Sequence, residues 1–153
     1  MPSRFHDAQE VTVPDRASSA TWEGGLKGGK GRMKVGKGAY DGPYTLASRF
    51  ESGAGTNPEE LIAAAHAGCY SMALAADLEA KGFKPASVGT TATVSVEPSG
   101  GGFAITRIKL VCRASVPGIE PAAFQAVAEG TKTGCPVSKA LAAVRIELDA
   151  KLL

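Results

Sequence analysis

The sequence predicts an α+β fold in which antiparallel sheets surround one long buried helix. Glycine-punctuated segments with alternating apolar residues occupy the N-terminal third, and a long apolar segment with helix signals follows. Alternating segments and shorter helical segments fill the remainder. At 153 residues the chain is long enough for one domain with a buried core. We expect a tail or extra edge segment over residues 1–18 and a single domain over residues 19–153.

Composition excludes several classes of protein. Hydrophobic residues make up 44% of the chain and charged residues 21%, which is ordinary for a soluble globular domain. A net charge of +2 is too small to argue for a nucleic-acid partner. We find no apolar run near the roughly 18 residues of a membrane helix and no apolar leader, so we expect a cytoplasmic protein. The two histidines lie outside any ligand-spaced cluster, and we expect neither a metal nor a cofactor.

The N-terminal third predicts three short strands, at residues 20–26, 31–35 and 44–50, which glycine-rich turns join into an antiparallel meander. In the third segment Tyr44, Leu46, Ser48 and Phe50 fall on one face of the strand, and Arg49 falls on the other. An arginine on the polar face of a strand is usually a solvated surface charge.

A glycine- and lysine-rich stretch at residues 24–31 superficially resembles a phosphate-binding loop. Gly31 stands where serine or threonine should hold magnesium, and no helix signal follows, so we reject that function. The cations of this region leave open a non-enzymatic binding module that uses a basic hairpin. They are Lys27, Lys30, Arg32, Lys34 and Lys37.

The strongest helix signal begins at residue 56. Thr56 and Glu59 have the spacing of a capping box, with Pro58 at an early helical position. That role alone accounts for Glu59. The segment is then apolar nearly all round until it ends at Lys81-Gly82. A helix that is apolar on every face is buried, and this one needs more cover than one subunit supplies.

The C-terminal half predicts a β-hairpin, two helices and a final strand. Residues 87–97 and 103–116 alternate on either side of a Pro-Ser-Gly-Gly-Gly turn. A helix follows at residues 121–133, a short helix opens at Cys135-Pro136 and runs to residue 142, and residues 144–152 alternate as a strand.

The three cysteines occupy different predicted environments. Cys112 shares a strand face with Ile108 and Leu110, which is typical of a small buried hydrophobe. Cys135 precedes Pro136 at the predicted start of a helix, where free N–H groups and the helix dipole lower a thiol pKa. A tight turn into the helix explains the same pattern equally well. In a reducing compartment a disulfide is usually transient and catalytic.

Cys69 lies in the middle of the long apolar helix, where desolvation should raise its pKa and make it inert. A reactive Cys69 therefore requires a nearby cation. His66 lies three residues earlier on the same helical face, which leaves open a Cys-His hydrolase. No third, orienting residue is evident, so we favour a packed His66.

Four segments resemble the osmotically inducible protein C family, whose relatives include the organic hydroperoxide resistance proteins. They are RFE at 49–51, GTNPEELI at 55–62, AHAGCYSMAL at 65–74 and GCPVSKAL at 134–141. The residues beside each cysteine favour the osmotically inducible branch. The resemblance covers about residues 20–153 and leaves the N-terminal extension outside it.

This resemblance implies a peroxidase that reduces organic hydroperoxides. It implies a peroxidatic Cys69, a resolving Cys135 that forms a disulfide with it, and an Arg49–Glu59 pair that positions and activates the thiolate. It also implies an intertwined homodimer and a dithiol reductant, typically a lipoyl group on a partner protein. The guanidinium of Arg49 would then be the cation that buried Cys69 requires.

Helix geometry limits how this pair reaches the cysteine. Glu59 and Cys69 are ten residues apart on one predicted helix, which corresponds to about 15 Å along its axis. Glu59 therefore either acts at a distance, by orienting Arg49, or reaches Cys69 of a second chain.

Overall fold

The computed structural model describes residues 12–153. The part of the predicted tail at residues 1–11 lies outside this range, and residues 12–18 are exposed and belong to no helix or strand. The described chain divides into two compact units, one ending at Leu61 and the other beginning at Ile62, which we call the N-terminal and C-terminal units. The expectation of a single domain over residues 19–153 remains a prediction.

The N-terminal unit contains a three-stranded antiparallel sheet in the order β1 (Ser19–Glu23), β2 (Lys30–Val35) and β3 (Tyr40–Tyr44). The first two strands confirm the predicted meander. The third prediction was wrong, because the strand ends at Tyr44 and Leu46–Phe50 forms a short helix, α1.

A reciprocal capping box explains why α1 is helical. The hydroxyl of Thr45 accepts a hydrogen bond from the N–H of Ser48 at 3.0 Å, and the hydroxyl of Ser48 accepts one from the N–H of Thr45 at 2.8 Å. These bonds satisfy donors that a helix start leaves free, and they outweigh the alternating pattern. Arg49 consequently lies on a helix and not on the polar face of a strand.

The long helix α2 spans Pro58–Ala80 and ends before Gly82, whose φ of +89° suits glycine. Its first turn differs from the prediction. Asn57 is the capping residue, since its Oδ1 accepts a hydrogen bond from the N–H of Glu60 at 2.8 Å. The Thr56 hydroxyl bonds the carboxylate of Glu60 at 3.0 Å, so the predicted Thr56–Glu59 capping box was wrong and Glu59 is released for another partner.

One face of α2 is buried within the single chain and another is not. Tyr70, Leu74 and Leu78 are fully buried, whereas Met72 is 77% exposed. We call the exposed face that includes Met72 the α2 stripe; its residues are Ala65, Gly68, Met72 and Ala76. The expectation of a helix buried on every side therefore fails at the stripe within one chain, and cover by a second subunit remains a prediction.

The same helix is long and apolar enough to cross a membrane by length and composition, with a mean hydropathy of 1.3 over its best window. The sequence expectation that no apolar run approaches this length was therefore wrong, because many alanines add up to a moderate hydropathy. A core helix of a soluble protein passes the same test, so this is weak evidence for a membrane span.

The C-terminal unit is built on a second three-stranded sheet, in the order β4 (Ser87–Ser99), β5 (Gly102–Ser115) and β6 (Arg145–Leu152). The hairpin β4–β5 is antiparallel and β6 is parallel to β5, so the chain must cross over between them. Helices α3 (Pro121–Gly134) and α4 (Pro136–Ala140) form that crossover. The predicted hairpin, helices and final strand are all confirmed.

The core of the C-terminal unit lies between α2, α3 and this sheet. It holds Cys112 fully buried on β5, as predicted. The other fully buried apolar residues are Tyr70, Leu74, Leu78, Ile108, Leu110, Ala114, Phe124 and Ala128.

Candidate active site

The C-terminal unit brings Cys69 and Cys135 together. Their sulfurs lie 2.9 Å apart, within hydrogen-bond distance for sulfur, and both are free thiols. Cys69 is half-buried on α2, and Cys135 is 1% exposed at the start of α4. A disulfide bond of about 2.05 Å requires the sulfurs to close by less than about 1 Å. The two thiols are therefore close enough to form a disulfide after a small movement.

The position of Cys135 follows from the way two helices meet. Its N–H donates to the carbonyl of Thr131 at 2.9 Å and ends α3, and Pro136 immediately starts α4. Burial raises the pKa of Cys135. A larger lowering comes from the thiol of Cys69, from the N–H and hydroxyl of Ser138 and from the N–H of Val137. The pKa of Cys135 therefore lies below the ordinary value, as the sequence predicts for a thiol at a helix start.

The thiol of Cys69 is shifted the other way. Burial raises its pKa, the hydrogen bond and charge of Cys135 raise it further, and only the N–H of Val137 opposes them. None of these groups is a cation. The lowered pKa favours Cys135 as the thiolate, and among the described residues no positively charged group contributes to the shift of Cys69.

His66 is fully buried on α2 and is directed at α4. Its Nε2 lies 2.7 Å from the hydroxyl oxygen of Ser138, and its Nδ1 has no hydrogen-bond partner among the described residues. Burial lowers the pKa of His66, which keeps the ring neutral. Neither ring nitrogen bonds Cys69, so the arrangement that a Cys-His hydrolase needs is not formed.

The N-terminal unit brings Arg49 and Glu59 together. Nη2 of Arg49 lies 2.7 Å from Oε1 of Glu59, and Nε lies 3.1 and 3.3 Å from the two carboxylate oxygens. Glu59 is 8% exposed, whereas the side chain of Arg49 is 40% exposed. A fork-like, half-buried pair fixes the guanidinium while leaving part of it accessible. Arg49 is therefore not a solvated charge on a strand, and Glu59 is not the capping-box partner of Thr56.

A cavity of about 380 Å³ lies beside Arg49 within the N-terminal unit. Its lining is mostly apolar and consists of Trp22, Gly24, Leu26, Tyr44, Thr45, Leu46, Arg49 and Phe50. The rings of Trp22 and Tyr44 pack with centroids 5.4 Å apart. An apolar pocket with one guanidinium at its wall suits a ligand with an apolar body and a polar end.

Sequence reasoning missed the aromatic lining of this cavity. Gly31 of β2 pairs with Trp22 on one neighbouring strand and with Tyr44 on the other. A Cβ at Gly31 would collide with both rings. A glycine within a strand marks a place where other groups approach its backbone closely. Gly31, with an aromatic residue on each neighbouring strand, could therefore have revealed the pair.

The basic hairpin is partly neutralised. Arg32 bonds Asp41 at 2.7 Å, and Lys30 lies 4.0 Å from Glu23. Paired cations on a small sheet offer a weaker field to nucleic acid than five free ones. Among residues 12–153, no group of three or more histidine, cysteine, aspartate or glutamate side chains is placed to hold a metal ion.

Comparison with known proteins gives a uniform result. Residues 51–149 match the family model described as OsmC-like protein. The chain is 47% identical to peroxiredoxin OsmC of Escherichia coli K12 over 138 residues, which is 90% of this chain and 96% of that protein. It is 35% identical to an organic hydroperoxide resistance protein of Xanthomonas axonopodis pv. citri over 89 residues, which is 58% of this chain and 61% of that protein. The crystal structure of the organic hydroperoxide resistance protein OhrB of Bacillus subtilis superposes with a TM-score of 0.70 at 25% identity, over 88% of this chain and 98% of that one.

Proposed function

This chain belongs to the OsmC-like protein family, and from that premise we propose that it is a cysteine-based peroxidase that reduces organic hydroperoxides to alcohols. The observation that carries the proposal is the pair of free thiols 2.9 Å apart, Cys69 and Cys135. Two adjacent thiols can store and return the two electrons that one hydroperoxide consumes.

In the proposed reaction the thiolate of Cys69 attacks the terminal oxygen of the hydroperoxide. An S–O bond forms, the O–O bond breaks, and the departing alkoxide takes up a proton to become an alcohol. Cys69 is left as a sulfenic acid. The thiolate of Cys135 then attacks this sulfur, an S–S bond forms, and hydroxide leaves with a proton as water. A dithiol reductant, for which we propose a lipoyl group on a partner protein in the cytoplasm, restores both thiols.

Activation of Cys69 requires a positive charge, and we propose that Arg49 supplies it. Held by Glu59, the guanidinium stabilises the Cys69 thiolate and polarises the peroxide oxygens. The apolar cavity beside Arg49 then receives the organic part of the substrate, which favours alkyl or lipid hydroperoxides over hydrogen peroxide.

We propose that two chains build each active site. Glu59 and Cys69 are ten residues apart on α2, which is about 15 Å along a regular helix. A second chain that packs on the α2 stripe would cover its apolar surface and could bring its own Arg49–Glu59 pair to Cys69. Arg49 of a partner would then supply the positive charge that no described residue contributes to the pKa of Cys69.

One equivalent of t-butyl hydroperoxide should convert two thiols per chain into a Cys69–Cys135 disulfide and leave Cys112 reduced. Cys112 is fully buried on β5, and burial raises its pKa, so it should not react. Peptide mapping by mass spectrometry identifies the bridge. Added dihydrolipoamide should restore both thiols and sustain turnover, and hydrogen peroxide should react more slowly.

A bridge that contained Cys112 would refute the assignment of the cysteines. Failure to consume t-butyl hydroperoxide with any dithiol would refute the peroxidase function itself. A Cys112→Ala variant is the control, because it removes the third thiol without touching the pair.

Sedimentation should find a homodimer at micromolar concentration. Met72→Glu places a charge in the middle of the α2 stripe and should weaken the dimer at least tenfold, which is about 1.4 kcal/mol. Val13→Glu is the matched control, because Val13 is 76% exposed, as Met72 is 77% exposed, but lies outside α2. A stable and fully active monomer would rule out this architecture.

A further inference from the structure

A second contact joins the helices that carry the two cysteines. His66 lies one turn before Cys69 on α2, and Ser138 lies one turn after Cys135, which caps α4. Nε2 of His66 lies 2.7 Å from Oγ of Ser138, while the two cysteine sulfurs lie 2.9 Å apart. In the described part of the chain, these are the two hydrogen bonds that join a side chain of α2 to a side chain of residues 135–140.

The two contacts together fix how α4 lies against α2. Residues three apart share a helix face and are separated by about 4.5 Å along the axis. Two contacts at that separation fix both the position of α4 along α2 and its rotation, which one contact cannot do. The N–H of Lys139 donates to the carbonyl of Cys135 at 3.0 Å, so the segment that carries Ser138 and Cys135 is a hydrogen-bonded turn. A displacement of Ser138 should therefore displace Cys135.

The bond between His66 and Ser138 is shielded from water. His66 is fully buried, and Ser138 is 3% exposed. Water cannot easily replace a partner that is lost at such a site, so a buried bond resists separation more than an exposed one. Nδ1 of the imidazole has no hydrogen-bond partner among residues 12–153. Within that range Ser138 alone holds the ring by a hydrogen bond.

This bond can survive the step that destroys the contact between the thiols. When Cys69 becomes a sulfenic acid it loses its S–H, and the hydrogen bond between two thiols is lost with it. Cys135 must nevertheless stay within reach of the Cys69 sulfur, because a sulfenic acid that is not resolved is oxidised further. The bond between His66 and Ser138 exchanges no electrons with the peroxide and is available throughout.

We propose that the bond between His66 and Ser138, which we call the pin, holds the two cysteine sulfurs together so that the sulfenic acid is resolved before more peroxide arrives. This inference rests on the proposed peroxidase function and adds two positioning residues to it. In the step concerned, the thiolate of Cys135 attacks the Cys69 sulfur, an S–S bond forms, the S–O bond breaks, and hydroxide takes a proton and leaves as water. The pin acts on the distance between the sulfurs.

The first test measures how closely the two thiols are held, and it needs no peroxide. Oxidised glutathione converts the protein dithiol into the Cys69–Cys135 disulfide and releases two molecules of reduced glutathione. The equilibrium constant has units of concentration and gives the effective concentration of one thiol at the other. Ser138→Ala and His66→Leu should lower it about tenfold, which raises the reduction potential by about 30 mV. Alkylation and mass spectrometry of acid-quenched samples measure the two forms.

Two further variants attribute the effect to the bond itself. His66→Gln, whose amide reaches the position of Nε2, keeps a hydrogen bond to Ser138 and should recover most of the effective concentration. The double variant, His66→Leu with Ser138→Ala, should be no worse than either single change, because both remove the same bond. Losses that add in the double variant would show two independent effects and would contradict the pin.

Thr131→Val is the matched control. Thr131 is 1% exposed on α3, and its hydroxyl donates to Asp77 of α2 at 2.6 Å, so valine also removes a buried hydroxyl that bonds two helices. Asp77 lies about 12 Å along α2 from Cys69. The effective concentration should therefore be unchanged in this variant. An equal fall in Thr131→Val, or an unchanged value in both Ser138→Ala and His66→Leu, overturns the pin.

The second test follows the fate of the sulfenic acid. When excess t-butyl hydroperoxide is added without a reductant, Cys69 is either resolved to the disulfide or oxidised to the sulfinic acid. The ratio of sulfinic acid to disulfide should rise about tenfold in Ser138→Ala and His66→Leu, because the rate of an intramolecular attack follows the effective concentration. An unchanged ratio in both variants contradicts the pin. A lowered effective concentration in variants of a chain that consumes no hydroperoxide would instead refute the peroxidase and leave the pin supported.

Discussion

Replacement of Cys69 by serine should abolish hydroperoxide reduction, while Cys135→Ser should still complete one round. Serine cannot supply a thiolate, so the first bond to the peroxide oxygen is never made. Without Cys135, Cys69 should still reach the sulfenic acid and then accumulate as sulfinic acid in excess peroxide. Peroxide consumption under single-turnover conditions and mass spectrometry of the Cys69 peptide measure both outcomes.

This experiment is demanding because pKa considerations within one chain favour the other cysteine. Hydrogen bonds lower the pKa of Cys135, whereas burial and Cys135 itself raise that of Cys69. If Cys135→Ser were inert toward one equivalent of peroxide and Cys69→Ser were not, the roles would be reversed. Cys112→Ala, on β5, should behave as the unchanged chain does.

Arg49→Ala should lower the rate at neutral pH at least tenfold. We propose that Arg49 is the cation of Cys69, so removal of the guanidinium should raise the pKa of this half-buried thiol and leave less of it ionised; one pKa unit is worth about 1.4 kcal/mol. Because the missing species is the thiolate, the rate should recover as the pH is raised through the new pKa. A profile of rate against pH therefore distinguishes loss of ionisation from loss of structure.

Two further variants sharpen this test. Arg49→Lys keeps the charge but not the forked contact with Glu59, so it should fall between the original chain and Arg49→Ala. Arg32→Ala is the control, since it removes an arginine whose ion pair with Asp41 is also 2.7 Å long but lies on the exposed sheet. An Arg49→Ala variant with an unchanged pH profile would remove Arg49 from the mechanism.

The elements that the sequence predicted correctly are those defined by long local patterns. The hairpin β4–β5 and the final strand each repeat one period over many residues, and the long helix is an apolar segment with clear start and stop signals, so a single exception does not mislead. The segment at 44–50 is short, and its alternation fits one helical turn as well as a strand. Side-chain bonds between Thr45 and Ser48 decide in favour of the helix, and those bonds leave no trace in hydrophobic periodicity.

The candidate site was harder to predict because its contacts are not local. Cys69 meets Cys135 across 66 positions, and His66 meets Ser138 across 72. Physical reasoning alone favoured an inert Cys69, and only the resemblance of whole segments named it. Physical reasoning gave Arg49 and Glu59 separate local roles, and only the resemblance paired them. Asn57 caps the helix and Glu59 forms an ion pair with Arg49.

Because the two cysteines lie far apart along the chain, the redox state of the pair affects the free energy of unfolding. A bond between them closes a loop that holds the whole β4–β5 hairpin and α3. Restricting the unfolded chain in this way is worth about 4 kcal/mol for a loop of this length. Each encounter with a peroxide would thus convert the molecule into a form that withstands heat and proteases better than its reduced form. Reduction of the disulfide would restore the two thiols and return the free energy of unfolding to its lower value.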